Sequence, residues 1–343
     1  MLFLILLMLF PSVCVENAKS GLLLWFNTII PTLFPFILVT NILRDLGGIP
    51  WLERLFAPVI SRIFKTGPGG SYPVVLGFLC GYPMGAKAIT DSLACRRITT
   101  SEAYYLLSFT NNPSPIYMIS YVALFTLQAP EMKLPVIIIA VLTAVLTAFF
   151  YRHLKYKKPA VAIQNPSGRP TPETRPELAA AAKGLTGRPK RETRPRLATA
   201  DVNTREAVSD NPAQGFFDRC IVSAFELLVK VGGYMILFSI LSGCLLLIPG
   251  LPPIAACLIS GLLEQTTGLG LLKTQSFSLE IKTVLAMVFI CFGGLSISAQ
   301  TQSVIHAQGL SVKPYIFSKL LSGIIAAALT AAWFWLRGTS GIL

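Results

Sequence analysis

The chain has 343 residues, of which 53% are apolar and 13% charged, against about 25% charged in an ordinary soluble domain. Together with a mean hydropathy of +0.64, this excludes a soluble enzyme of this length and predicts a surface that mostly faces lipid. The 29 Lys and Arg against 16 Asp and Glu give a net charge of +13, but the stretch from Arg152 to Gln214 alone holds 13 basic and 6 acidic residues, so the excess is a local basic segment and not a nucleic-acid face.

The first element, over residues 1–20, reads as a short N-terminal apolar helix. Leu2 to Val15 lacks the basic flank and small-x-small cleavage site of a signal peptide. It is short for a span, so it reads as a tilted or partly interfacial helix unless the chain begins upstream. A first membrane repeat follows over 21–152: a long helix at Gly21 to Leu46, a Gly-rich apolar piece at Ser71 to Leu93, an interrupted helix at Ala103 to Leu127 and a plain helix at Leu134 to Tyr151. Between Arg44 and Lys65 the pattern reads as a loop.

Residues 153–215 form a Pro- and Arg-rich linker. Within it Gly168-Arg169-Pro170 through Pro176 recurs nineteen residues later as Gly187-Arg188-Pro189 through Pro195. A tandem copy this poor in aromatics cannot bury enough apolar area to order itself, and with no aromatic interleaved among the arginines it does not read as a nucleic-acid tail. The segment is expected to be disordered.

A second membrane repeat over 216–337, before a short tail at 338–343, repeats the order: Phe216 to Ile248, Ile254 to Leu272, Val284 to Ile305 and Pro314 to Leu336. Aligned this way, the Gly81-Tyr82-Pro83-Met84-Gly85-Ala86-Lys87 break faces Gly261 to Gly268, and Asn111-Asn112-Pro113-Ser114-Pro115 faces Gly293 to Ser298. Matched interruptions in two halves are a transporter signature, because unwound backbone at membrane depth survives only where protein or a wet cavity satisfies it.

The basic residues set an expected orientation. The linker, Arg152, Arg96 and Arg97 should be cytoplasmic and the uncharged Leu251-Pro252-Pro253 loop outside. If each Gly-rich piece enters and leaves on one side, Arg44, Arg54, Arg62 and Lys65 also fall inside, and each half has three spans plus a re-entrant hairpin. The expected fold is therefore an all-α polytopic membrane protein of two inverted repeats, each with about three spanning helices, one re-entrant Gly-rich hairpin and an interrupted helix.

No constellation of catalytic acids, bases or metal ligands emerges. The seven cysteines are scattered without a CxxC, and His153 and His306 lie where apolar segments meet water. We therefore expect no enzyme, cofactor or metal. A binding site is expected instead. Pro83 and the flanking Gly81 and Gly85 should unwind the chain and start a new helix, whose exposed N–H groups beside Lys87 suit an anion. Tyr82 belongs to the same break. Asn111 and Asn112 in the first half, and Gly293, Gly294, Ser296, Ser298 and Gln300 in the second, supply uncharged donors and acceptors for a polar substrate. Glu264, with Thr266 and Thr267, is the candidate coupling site, since a carboxylate within an apolar segment is expensive unless it is paired or lines a cavity. Glu226 and Lys230, four residues apart, read as a local ion pair.

These residues carry a resemblance. Trp25 to Phe36 with Pro31 and Pro35, the Gly81 to Lys87 motif, Leu107-Ser108-Phe109-Thr110-Asn111-Asn112, and Gly293-Gly294 followed by Gln300 resemble the YlbJ (SpoVV) family of sporulation integral membrane proteins, within the wider nucleoside-recognition or gate-domain group. The resemblance covers nearly the whole chain outside the linker. It implies transport of dipicolinate, a small dianion, across the outer forespore membrane of a spore-forming bacterium. The expected partners are that anion and the bilayer, with no nucleic acid, and a homo-oligomer is compatible with the sequence. A gate-domain transporter of nucleosides or another small polar metabolite, and a non-transporting assembly protein of sporulation, are the alternatives.

Overall fold

The computed structural model describes residues 2–154 and 212–340. Among these there is no strand, and five helices are long and apolar enough to cross a membrane. The protein is an all-α polytopic membrane protein. The expected linker and the end of the C-terminal tail lie largely outside the described residues.

Helix α1 (Leu2–Leu9) stops where Pro11 opens α2, proline being tolerated in a first helical turn. No boundary falls at residue 20. Helix α2 runs from Pro11 to Asp45 as one candidate span, and a wide turn at Trp25–Ile29 absorbs the hydrogen bond that Pro31 cannot make. The polar residues near its start face a partner instead of ending the helix. Asn17 lies against Gly243, Gly21 against Ser239, Trp25 donates its indole N–H to Leu228 O at 2.8 Å, and Asn41 donates to Cys220 O at 3.1 Å. Partner numbers fall as α2 numbers rise, so α2 runs antiparallel to the helix Pro212–Leu245, with small residues allowing close approach.

The stretch expected as a loop contains an amphipathic helix, α3 (Ile49–Phe64), that ends on Lys65 in the left-handed region. Ile60 and Phe64 are buried, while Trp51, Leu55, Val59 and Ile63 form an exposed row at four-residue spacing. Glu53 pairs with Arg97 at 2.9 Å. Burial raises the Glu53 carboxyl above its ordinary range and Arg97 pulls against that rise.

Helices α4 (Ser71–Leu79) and α5 (Met84–Ala94) are joined by the break at Cys80 to Pro83. Nine and 11 residues long, they reach about 14 and 17 Å, each about half of the roughly 30 Å hydrocarbon core. They fold back on each other so closely that a Cβ on Gly85 would lie 3.1 Å from Gly77 Cα. Helix α6 (Thr100–Thr110) starts at Thr99, whose hydroxyl accepts from Glu102 N at 3.2 Å. Four non-helical residues, Asn111 to Ser114, separate it from α7 (residues 115–126). The expected Ala103 to Leu127 span is thus two short helices, which is why five long apolar helices are found and not six. Helix α8 (Lys133–Leu154) is plain.

In the second half α9 (Pro212–Leu245) is followed by α10 (Pro253–Leu263) and α11 (Gln265–Thr274), a second folded-back pair with a single non-helical residue, Glu264, between them. Helices α12 (Leu279–Phe292) and α13 (Gly294–Ile305) meet at Gly293, and α14 (Lys313–Ser340) ends the described chain. The largest buried cluster draws on both halves, from Ile37, Tyr72 and Met84 to Leu228, Met287 and Phe289.

Candidate functional site

All four breaks meet. The turn at Gly81 (φ +83) presses on the α6–α7 break, where a Cβ would lie 2.7 Å from Ser114 N, so both the backbone angle and the space demand glycine. In the second half Gly294 (φ +75) sits at the α10–α11 turn, its Cβ position 3.1 Å from Leu263 O and 3.4 Å from Gln265 N. Each folded-back pair thus rests on the interrupted helix of its own half.

The halves also join crosswise. Tyr82 donates its hydroxyl hydrogen to Gln265 Oε1, linking the two tips. Tyr121 on α7 donates to Thr266 O at 3.1 Å, and the Tyr117 hydroxyl lies 3.4 Å from Thr266 Oγ1. One turn on, the Lys273 ammonium sits 3.7 Å from the Phe125 ring centroid. Asn111 Nδ2 donates to Thr301 Oγ1 at 3.0 Å and to the Tyr315 hydroxyl at 2.9 Å, and the Lys319 ammonium donates to Asn112 Oδ1 at 2.9 Å.

Between these contacts lies a chamber of about 30 Å³, with Tyr82, Ser114, Tyr117, Glu264, Gln265 and Gln300 on its walls among apolar side chains of α2 and α9. That is room for one or two waters and not for an organic solute. Glu264 is buried, yet its carboxylate is committed: it caps α11 by accepting from Thr267 N at 2.6 Å and Thr267 Oγ1 at 2.9 Å, and Thr267 Oγ1 also bonds Ser239 at 2.9 Å.

A second, wider cavity of about 320 Å³ takes in Lys87, Asp91, Glu226, Lys230 and Ser303. Helices α9 and α13 line both cavities, through Val231 then Lys230 and Gln300 then Ser303, while the α4–α5 turn gives Tyr82 to the first and α5 gives Lys87 to the second, so the two are stacked along shared helices. Arg44 lies 3.6 Å from Asp91. The expected ion pair between Glu226 and Lys230 is absent: both are exposed, face the cavity, and come no closer than 4 Å.

Of the sequence-derived site residues, Gly81, Tyr82, Gln300, Glu264 and Thr266 line the chamber. Lys87 does not; it is half-buried and belongs to the second cavity, the vestibule. The N–H groups expected to cradle an anion are largely taken, with Met84 N donating to Gly81 O and Lys87 N to Pro83 O, both at 3.0 Å, while Gly85 is covered by Thr110 O. Ser296 accepts from Gln300 Nε2 at 3.2 Å and Ser298 donates to Gly294 O at 3.1 Å, so both hydroxyls serve their own helix. Gly293 shapes the turn, Asn111 and Asn112 tie α6 to α14, and Thr267 holds Glu264. Sequence reasoning missed Tyr117, Tyr315 and Lys319, and placed Gln265 beside Glu264 without giving it a role. Lys319 had a legible signal, a lone charge deep in an apolar helix. Among the described residues no three His, Cys, Asp or Glu side chains converge as metal ligands would.

No family model matches the chain, and no solved structure matches it. It is 24% identical over 342 residues, covering 92% of its own length and 76% of the relative's, to the sporulation integral membrane protein YlbJ of Bacillus subtilis (strain 168). This likeness supports the YlbJ family resemblance of the motifs, and with the spanning helices it describes a multi-pass integral membrane protein with a sporulation relative.

Proposed function

We propose that the protein transports a small organic anion, dipicolinate foremost, across the outer forespore membrane during endospore formation. The observation that supports this most is the small chamber at the meeting of four helix interruptions, where Tyr82, Glu264, Gln265 and Gln300 are set among apolar side chains inside a set of membrane-spanning helices. Breaks of this kind are retained at membrane depth where a solute needs polar contacts. The chamber in its present shape excludes any organic anion, so passage requires the tips to part. The contacts that close it are hydrogen bonds between neutral groups, Tyr82 to Gln265 and Tyr121 to Thr266. A bound solute can replace these one for one, which lowers the cost of opening when the correct substrate is present.

In this reading the vestibule receives the solute first, where Lys87 and Lys230 offer ammonium groups opposite Asp91 and Glu226. The chamber then holds it among Tyr82, Gln265 and Gln300. The short helix pairs act as re-entrant hairpins and the halves are inverted relative to each other. Labelling of an Arg54→Cys protein from the linker's side supports that arrangement, and labelling only from the opposite side overturns it. The transport test itself is uptake of labelled dipicolinate into vesicles carrying the full chain; no uptake above empty vesicles, from either orientation, overturns the reading.

One observation favours a second reading. Besides Glu264, whose carboxylate is engaged by Thr267, the chamber wall carries tyrosine, glutamine, serine and threonine but no lysine, a lining that also suits a nucleoside or another neutral polar metabolite. Uptake of nucleosides in place of dipicolinate by the same vesicles selects it.

A further inference from the structure

The vestibule cannot by itself give the pathway a preference for anions. Lys87 stands in the electrostatic range of Asp91, Glu226, Asp45 and Arg44, and Arg44 lies between Asp45 at 3.0 Å and Asp91 at 3.6 Å. Its bases and acids come close to balance. Inside the protein, Glu264 is the carboxylate on the chamber wall, and its oxygen is already engaged by Thr267.

Lys319 is different. It is 1% exposed on α14, within an apolar span. Its ammonium donates to one neutral acceptor, Asn112 Oδ1 at 2.9 Å, with the Tyr315 ring centroid 5.9 Å away and the Cys291 thiol of α12 in range. Among the described residues no carboxylate comes within 4 Å of it. A buried charge left without a counter-charge is costly. Asn112, which holds it, is followed directly by Pro113 and Ser114, and both of these line the chamber. Helix α14 is tied to the same break a second time through Asn111 and the Tyr315 hydroxyl. The uncompensated charge is therefore anchored to the residue that directly precedes the chamber-lining Pro113 and Ser114 in the chain.

We infer that Lys319 is the counter-charge for an anionic solute in the chamber: the ammonium, held in place by Asn112, makes the chamber attractive to a carboxylate that a lining of Glu264 and uncharged groups alone would not favour. This rests on the transport reading above and assigns its selectivity. Contact is not required, because in a low-dielectric interior shielded from salt the attraction is stronger at any given distance than in water. The solute's charge lowers the cost of burying Lys319 while Lys319 lowers the cost of burying the solute. A neutral solute gains nothing from the lysine.

The test separates this role from that of a tether between α6 and α14. Asn112→Asp keeps an acceptor oxygen for the ammonium, so a tether survives, but it cancels the charge. Vesicles carrying the full chain, with protein amounts matched, are given dipicolinate or its neutral isostere pyridine-2,6-dicarboxamide. We expect Asn112→Asp and Lys319→Met to lower dipicolinate uptake by at least about tenfold, to leave or raise uptake of the diamide, and Lys319→Arg to keep part of the dianion uptake. Wild-type dipicolinate uptake in Asn112→Asp overturns the inference and leaves the transport reading standing. A wild-type protein that carries only the diamide, or neither compound, overturns the anion reading and the inference with it.

Discussion

The two folded-back helix pairs have the same outline and opposite chemistry. In the α4–α5 pair the turn takes four residues, Cys80 to Pro83, carries no charge, and is seated on its neighbour's backbone at Thr110 and Ser114. In the α10–α11 pair the turn is one extended residue, Glu264, whose own carboxylate caps the helix that follows. The first turn solves the problem of unpaired backbone by having few donors, since Pro83 has none. The second adds a charged acceptor. One turn is therefore held from outside and the other from within, and substitutions should tell them apart.

The largest effect is expected at Gly77. A methyl there would lie 2.0 Å from Thr110 O, a backbone atom that cannot step aside. Gly77→Ala should cost about 3 kcal/mol and lift the α4–α5 pair off α6, exposing Cys80, which is now 3% exposed. In Gly268→Ala the methyl would instead meet Gly261 Cα at 2.2 Å, within the α10–α11 pair, so the pair should splay and expose Cys257. Site-resolved thiol labelling of the two proteins checks this; equal labelling of Cys80 and Cys257 in both would break the contrast between outside and inside support.

Glu264→Leu comes next. It leaves Thr267 N and its hydroxyl without their acceptor, for a loss of about 2 kcal/mol in detergent unfolding, while Glu264→Gln keeps an acceptor and should lose less than half of that. A smaller effect, about 1 kcal/mol, is expected for Tyr82→Phe, which removes the link between the tips. Its signature is kinetic: the chamber should open more readily, so exchange of preloaded solute across vesicle membranes should speed up. Slower exchange would show that the tyrosine binds solute and does not latch the tips. Smallest is Lys87→Met. In the vestibule it should leave unfolding unchanged and lower uptake about threefold at low ionic strength, a difference that vanishes in high salt. A loss that persists in high salt would place Lys87 deeper than the vestibule.

The places where the chain breaks were legible because Gly, Pro, Asn and Glu are conspicuous inside apolar runs, and all four breaks fall on residues that stand out in this way. What those residues touch was not legible. Lys87 follows Gly85 by two residues, and two helical steps turn about 200°, so when Gly85 is buried against Thr110 the lysine must face away, into the vestibule. Lys319 and Asn112 are 207 positions apart, beyond any local pattern. Helix α3 was hidden by Pro50, Pro58 and its mixed charges, which resemble those of a loop until its four-residue apolar row is aligned. The boundary expected at residue 20 has no counterpart, because the polar residues there are accommodated within the helix, Asn17 in the gap over Gly243.

The bonds that close the chamber join phenols to amide or backbone oxygens, and among the described residues no ion pair spans them. Moving one elementary charge through a membrane potential of 100 mV involves about 2.3 kcal/mol, enough to bias an opening equilibrium strongly. Neutral contacts feel no such bias. In the proposed transport reading these contacts add no gating charge of their own, so any voltage dependence comes from the solute's charge and from buried charged side chains such as Lys319 and Glu264.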